Sequence, residues 1–427
     1  MSSAAFSWRN GLAYGLLGLP LAFVALPLYV ILPNHYARAF GMPLATLGAI
    51  LLGARLFDAF IDPLLGRVSD RLFARSPAAV LKLGAAAAVV LAFGFAFLFF
   101  PLVKAPGALV IWASAMLMVT YAAYSALSVS HQSWGAMLGG NEAERSRIVA
   151  WREGLGLVGV VLASITPVAL GLPATTALFF IALLVGWLAW TRAVRPVART
   201  ASRLALPTVP AVNIWLPFQH ANFRRLLAVF MLNGIASAVP ATLVLFFIQD
   251  LLQAPPALEP LFLGSYFLSA ALSIPLWLAV VKRLGLASAW LCGMGLAIAV
   301  FGWATQVSAG QTAAFVVICA LSGVALGTDL ALPGALLAGV IQANGQSGRA
   351  EGAYFGWWNF ATKLNLALAA GLALPLLGLF GYAPGVRAPQ ALGALVVAYC
   401  VLPCVLKLAA ALSLYVFVLK PPQSTAP

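Results

Sequence analysis

The chain has 427 residues, of which 63% are hydrophobic and 8% charged, with a mean hydropathy of +1.01. That composition excludes a water-soluble globule, because a fold of this size could not bury so much apolar surface without lipid. The formal charge of +14 does not indicate a nucleic-acid partner, because the cations fall on alternate loops in the pattern that orients membrane proteins.

Apolar runs of about 20 residues, the length a helix needs to cross the hydrocarbon core, recur along the chain. The first six lie near 11–33, 44–66, 78–100, 107–137, 147–170 and 175–195. Six more lie near 223–250, 260–281, 287–306, 313–341, 351–381 and 391–419. Their continuous apolar character predicts an all-α polytopic protein rather than a barrel of alternating strands. The first run is too long for a signal-peptide core and no convincing cleavage site follows, so it is read as a retained helix.

Lys and Arg number 17 on one set of loops and 3 (Arg38, Lys104 and Arg387) on the other, which places both termini in the cytoplasm. Residues 196–222, rich in Arg and Pro, read as a linker between an N-terminal bundle at 1–195 and a C-terminal bundle at 223–427. Pro63 to Arg71 at the end of the second helix and Pro275 to Arg283 at the end of the eighth keep the same spacing. Such repetition fits two six-helix halves that rock about a central site.

In helix one, Tyr14 is a candidate cavity residue. Helix two carries the strongest signal. The chain has only ten acidic residues, and Asp58 and Asp62 stand four apart inside a predicted span, with Arg55 at i−3 from Asp58. The offsets i, i+3 and i+7 put all three on one helical face. Counted from Leu44, Asp58 lies ~21 Å and Asp62 ~27 Å along the helix, too deep to reach the outer surface. One arginine can neutralise only one of the two carboxylates, so the remaining charge can be met by a transported cation or a proton. At the cytoplasmic end follow Gly66, Asp70, Arg71 and Arg75; Asp70 can pair with basic residues or a helix N-terminus and so latch a gate.

Helix four offers Tyr121, Ser128 and Gln132 as weaker cavity candidates. Trp134 could also line a cavity, and His131 reads as a satisfied polar residue. In the second half, Asp329 lies mid-helix in the tenth run and is expected to neutralise Lys363 in the eleventh; Lys407 is expected to snorkel. Trp357 and Trp358 read as interfacial anchors. The four cysteines, Cys292, Cys319, Cys400 and Cys404, are expected to be apolar fillers, and no structural metal site, P-loop or nucleophile elbow is present. The chain is therefore not expected to be an enzyme and needs no cofactor beyond a coupling ion.

Ala54-Arg55-Leu-Phe-Asp58-Ala59-Phe-Ile-Asp62-Pro63 resembles the helix-two signature of the glycoside-pentoside-hexuronide:cation symporters, the melibiose-carrier-like branch of the major facilitator superfamily. Tyr124-Ser125, Glu144-Arg145, Arg152, Lys363 and Gly381-Tyr382 sit where that family has similar landmarks. The resemblance implies a cation site at Asp58 and Asp62 with Ser125 nearby, linked through Arg152 and Lys363 to coupling. Gly66 to Arg71, with Arg75, likewise resembles the superfamily's loop signature after helix two. Two departures matter. Ile61 stands where sodium-using melibiose carriers have asparagine, which favours H⁺ over Na⁺, and helices one and four lack those carriers' sugar-binding aspartates and tryptophan. The expectation is a monomeric cation-coupled carrier of a small, sugar-like solute in the bacterial inner membrane. Two alternatives remain open: a lipid or amphiphile carrier like the lysophospholipid symporters, and a scaffold or sensor that has lost transport.

Overall fold

The computed structural model describes residues 6–42, 44–196, 213–382, 385 and 387–420; most of the expected linker, residues 197–212, lies outside the described residues. Twelve long helical stretches succeed one another within them. The first, α1, is broken into Trp8–Gly15, Gly18–Leu26, a π-helical turn Pro27–Ile31 and Leu32–Phe40. Then come α2 (Leu44–Arg75), α3 (Pro77–Phe99), α4 (Pro106–Met137), α5 (Glu142–Ala169) and α6 (Gly171–Thr191). After a short turn at Leu216–Gln219 follow α7 (Ala221–Phe246, extended by a π turn to Leu251), α8 (Glu259–Leu284), α9 (Leu286–Ala304), α10 (Thr312–Ala343) and α11 (Glu351–Leu379). The last, α12, joins Pro389–Val396 through a π turn to Leu402–Leu414 and a final turn Tyr415–Leu419.

Ten of these helices are long and apolar enough to cross a membrane, and the predicted spans match most helix ends to within a few residues. The first two overrun their predictions, because their ends carry polar residues that a hydropathy reading excludes. At 32 residues, α2 is ~48 Å long against a hydrocarbon core of about 30 Å. Its last turns, with Arg67, Asp70, Arg71 and Arg75, therefore lie beyond the core.

Local chemistry sets the helix ends. Ser76 accepts from the Ala79 N–H at 3.1 Å, and Pro77 supplies a fixed φ at the first turn of α3. Gly139 and Gly140 take φ of 72° and 91° between α4 and α5, a left-handed turn that side chains resist. There, Glu144 N–H donates to Asn141 Oδ1 at 2.9 Å and Asn141 N–H to Glu144 Oε2 at 3.3 Å, a reciprocal capping box that starts α5.

The chain divides into two compact units, residues 1–219 with 341–360, and residues 220–340 with 361–427. In the first, α1 packs along α5 with little between the backbones. A Cβ on Gly18 would come within 2.4 Å of the Arg152 carbonyl, and one on Gly159 within 2.1 Å of the Leu19 carbonyl. Small residues of this kind let membrane helices meet at backbone distance, and here they bring Arg152 beside α1. The core of this unit is aromatic, with Phe23, Phe95, Phe179, Trp134 and Trp190 fully buried. In the second unit Phe247 stacks on Tyr399 at 4.2 Å and on Phe315 at 5.4 Å.

Candidate functional site

In the first unit α2 packs along α4. Asp58 and Asp62, one turn apart, are 2% and 0% exposed. From α4, the buried Ser125 donates its hydroxyl to Asp58 Oδ1 at 2.8 Å. Pro63 stands inside the helix directly after Asp62 and has no N–H, so the Ala59 carbonyl four residues earlier lacks its usual helical donor. Carboxylates and a hydroxyl are hard oxygen donors, the type that suits a proton or an alkali cation. Arg55 does not share this burial, because its side chain is exposed. The expected common face holds in angle but not in depth, since Arg55 stands ~10 Å nearer the start of α2 than Asp62.

A second group of polar side chains lines a pocket of about 110 Å³ between α1, α4 and α5. Gln132 donates to Ser128 Oγ at 2.9 Å, and the guanidinium of Arg152 forms a salt bridge with Glu153, Nε to Oε1 at 3.0 Å. Tyr124 and His131 complete the polar wall. Tyr14 and Tyr121, expected in the cavity wall, are packed in the core instead. Tyr14 supports the wall from behind: its ring stacks on His131 at 4.3 Å, its hydroxyl donates to the His131 carbonyl at 3.1 Å, and His131 Nε2 meets the Tyr14 carbonyl at 2.8 Å. Trp134 is likewise core, donating to the Val194 carbonyl at 2.9 Å.

At the cytoplasmic end of α2, Asp70 caps the start of α11. Its Oδ1 accepts the Gly352 N–H at 2.6 Å and its Oδ2 the Ala353 N–H at 2.8 Å, so a carboxylate meets the positive end of a helix dipole. Burial and the neighbouring Glu351 carboxylate push the Asp70 carboxyl well above its ordinary value, and the two N–H donors pull it part-way back. The contact is possible because the crossing is made of glycine. A Cβ on Gly66 would lie 1.9 Å from the Gly352 carbonyl oxygen, one on Gly352 2.1 Å from that of Gly66, and one on Gly356 2.7 Å from that of Asp62. Arg71 and Arg75 are exposed on the same stretch. Gly66→Ala is expected to destabilise the protein by about 1–3 kcal/mol through overpacking against backbone. Gly53→Ala, on the same helix with nothing within 4 Å of its Cβ, serves as the neutral control in thermal unfolding in detergent; equal melting points for the two variants would refute the close crossing.

The second unit corrects the expectation for Asp329. Its ion partner is Lys407, not Lys363: Lys407 Nζ donates to Asp329 Oδ2 at 2.9 Å and to Asn233 Oδ1 at 2.8 Å. Lys407 does not snorkel either, being only 5% exposed. Asp329 also accepts from Asn233 Nδ2 at 2.9 Å, Ser237 Oγ at 3.0 Å and Trp290 Nε1 at 2.8 Å. Four helices, α7, α9, α10 and α12, thus meet on one carboxylate. In the same unit Asp250 accepts the Tyr382 hydroxyl and the Gly385 N–H, the latter at 3.1 Å to Oδ2. Trp357 and Trp358, expected as interfacial anchors, are partly and fully buried; Trp357 donates to the Ile214 carbonyl at 2.7 Å.

The MFS/sugar transport protein family matches residues 11–420. The chain belongs to this family. It is an MFS transporter, not an enzyme, an integral membrane protein that works on small molecules across the lipid bilayer. Solved structures agree on the fold. A bacterial homologue of the iron transporter ferroportin, in an outward-facing state, is 17% identical with a TM-score of 0.68, covering 96% of this chain and 98% of its own. A variant of the Escherichia coli fucose:proton symporter FucP is 13% identical with a TM-score of 0.69 over 96% and 98%. The human organic anion transporter MFSD10 (TETRAN) is 17% identical with a TM-score of 0.62 over 95% and 98%. No curated protein matches the chain.

Several polar residues of this MFS transporter escaped the sequence reading. Glu153 was overlooked beside Arg152, because neighbours in a helix do not face each other; the long guanidinium arm bridges the gap. Asn233 and Asp250 stood in plain sight as polar residues in or beside an apolar run, and their depth was the available signal.

Proposed function

We propose that this transporter couples the uptake of a small hydroxylated, sugar-like solute to a cation bound at Asp58 and Asp62. The observation that carries the reading is the buried carboxylate pair on α2 with the Ser125 hydroxyl on Asp58, since carboxylates within a membrane helix mark ion pathways and proton relays. Ile61 beside Asp62 removes a polar ligand that Na⁺ would use, which favours H⁺. For the solute, the pocket walled by Ser128, Gln132, Arg152 and Glu153 offers hydrogen-bond donors and acceptors side by side, the pattern a polyol needs. The family's description as sugar transport proteins and the fucose:proton symport of FucP point the same way. Occupancy of both sites would then bias the protein towards reorientation. Lys363 and Arg152 are proposed as coupling residues, and Gly66, Asp70, Arg71 and Arg75 as the cytoplasmic gate. The resemblance to the melibiose-carrier-like symporters supports these assignments, as well as a bacterial inner-membrane location with both termini in the cytoplasm.

The test is uptake of a mixed library of radiolabelled sugars, glycosides, organic acids and lysolipids into proteoliposomes under an imposed pH or Na⁺ gradient. Accumulation of a sugar-like solute that collapses with the gradient is expected; accumulation of none would overturn the reading, and a lysolipid alone would favour the amphiphile alternative. Once a solute is found, Arg152→Gln is expected to raise its apparent KM by about tenfold or more, the worth of a charge-assisted hydrogen bond. An unchanged KM would move the solute out of this pocket.

A further inference from the structure

The second unit holds a cavity of about 160 Å³ of different character. Its walls are dominated by the rings of Phe262, Tyr266, Phe301 and Tyr399, and the Asp329–Lys407 salt bridge closes its polar end. All the lining residues belong to residues 220–340 and 361–427, so the pocket is built by that unit. That volume has room for a single aromatic ring, since about 150 Å³ accommodates benzene.

The polar end defines the chemistry of the ligand. The four hydrogen bonds that Asp329 accepts are shared between its two oxygens, which satisfies the usual capacity of a carboxylate in a low-dielectric site. Lys407 has three N–H donors and spends two of them, on Asp329 and Asn233. The third is available where the cavity begins. The ion pair is neutral as a whole, so an incoming anion would bring a charge that nothing in the aromatic wall compensates, and its desolvation would be costly. A neutral acceptor such as a carbonyl or hydroxyl meets the spare N–H without that penalty.

We infer that the second unit carries its own binding site, for an uncharged molecule of one aromatic ring with a single hydrogen-bond acceptor, seated among Phe262, Tyr266, Phe301 and Tyr399 and held by Lys407. The site is independent of the cation-coupled reading of the first unit. It is tested on the full-length protein in detergent by titrating benzamide, with benzoate at neutral pH as the charged counterpart, and following tryptophan fluorescence; Trp290 lies against Asp329 and reports on the site. Saturable benzamide binding is expected, with benzoate weaker by about tenfold or more. Ser322→Leu, which fills the cavity and leaves the salt bridge intact, is expected to abolish the binding. The Lys407→Met, Asp329→Asn double variant, which removes both charges together, is expected to weaken it by about tenfold. No saturable binding, equal binding of benzoate, or binding untouched by Ser322→Leu would each overturn the assignment. Asp58→Asn with Asp62→Asn should leave benzamide binding unchanged, so failure of this site and failure of the symport reading are told apart.

Discussion

Asp58→Asn and Asp62→Asn are each expected to abolish gradient-driven solute accumulation in proteoliposomes while leaving a folded protein. Asparagine keeps the shape of aspartate and an oxygen that can still accept from Ser125, so the contact between α2 and α4 survives and only the charge is lost. Losing an ionic ligand worth about 1.5–3 kcal/mol weakens cation binding by about 10- to 100-fold. Ser125→Ala removes a hydroxyl and keeps the charge, so its effect should be smaller, about fivefold in the cation concentration needed for half-maximal uptake. Solute exchange without a gradient separates the roles further, because an exchanger does not need the coupling energy. Coupled uptake equal to wild type in both aspartate variants would remove the cation site from α2 and favour a role without transport.

Lys407→Met is expected to be among the most destabilising single changes in the chain, because it leaves the Asp329 carboxylate buried with neutral donors and no counter-charge. Breaking one partner of a buried pair costs about 3–5 kcal/mol, whereas replacing both is often close to neutral. The Lys407→Met, Asp329→Asn double variant should therefore melt nearer to wild type than Lys407→Met alone, with the two effects far from additive. Thermal unfolding of the three proteins in the same detergent decides it. Additive losses would mean that the two residues do not form the unit described, and no loss in Lys407→Met would mean that the bridge carries no weight.

The helices were legible because lipid requires a long apolar run for each crossing, and that requirement is written into composition alone. The carboxylates of α2 were legible for the inverse reason: charge at such depth is costly, and a cluster that merely ties helices together explains it less well than a function does. Asp70 could be suspected as a helix cap from its place at the end of α2, although only the structure shows which helix it caps. What could not be read was register between distant helices. Lys407 lies 78 residues from Asp329 and 174 from Asn233, and nothing in spacing says that α12 turns this face towards α7 and α10; a lone lysine within an apolar run then reads as one that reaches for the surface. Lys363 was the expected partner only because it lay in the next helix. The Arg152–Glu153 pair was hidden for a different reason, since backbone periodicity rejects neighbours and does not account for the reach of a guanidinium. Gly66 stood out as part of a loop signature, but Gly352 and Gly356 are unremarkable in sequence, and the space the three leave is visible only when the two backbones are seen together.

That crossing has a kinetic consequence. Where helices meet through interlocked side chains, separating them requires many rotamers to be released and later found again, which slows both steps and fixes the contact in one arrangement. Between Gly66 and Gly352 no side chain is ordered when the helices touch, and the polar link there is one carboxylate on two N–H groups. Such a junction can open and reseal with almost no conformational search, which is what the cytoplasmic gate proposed here would require.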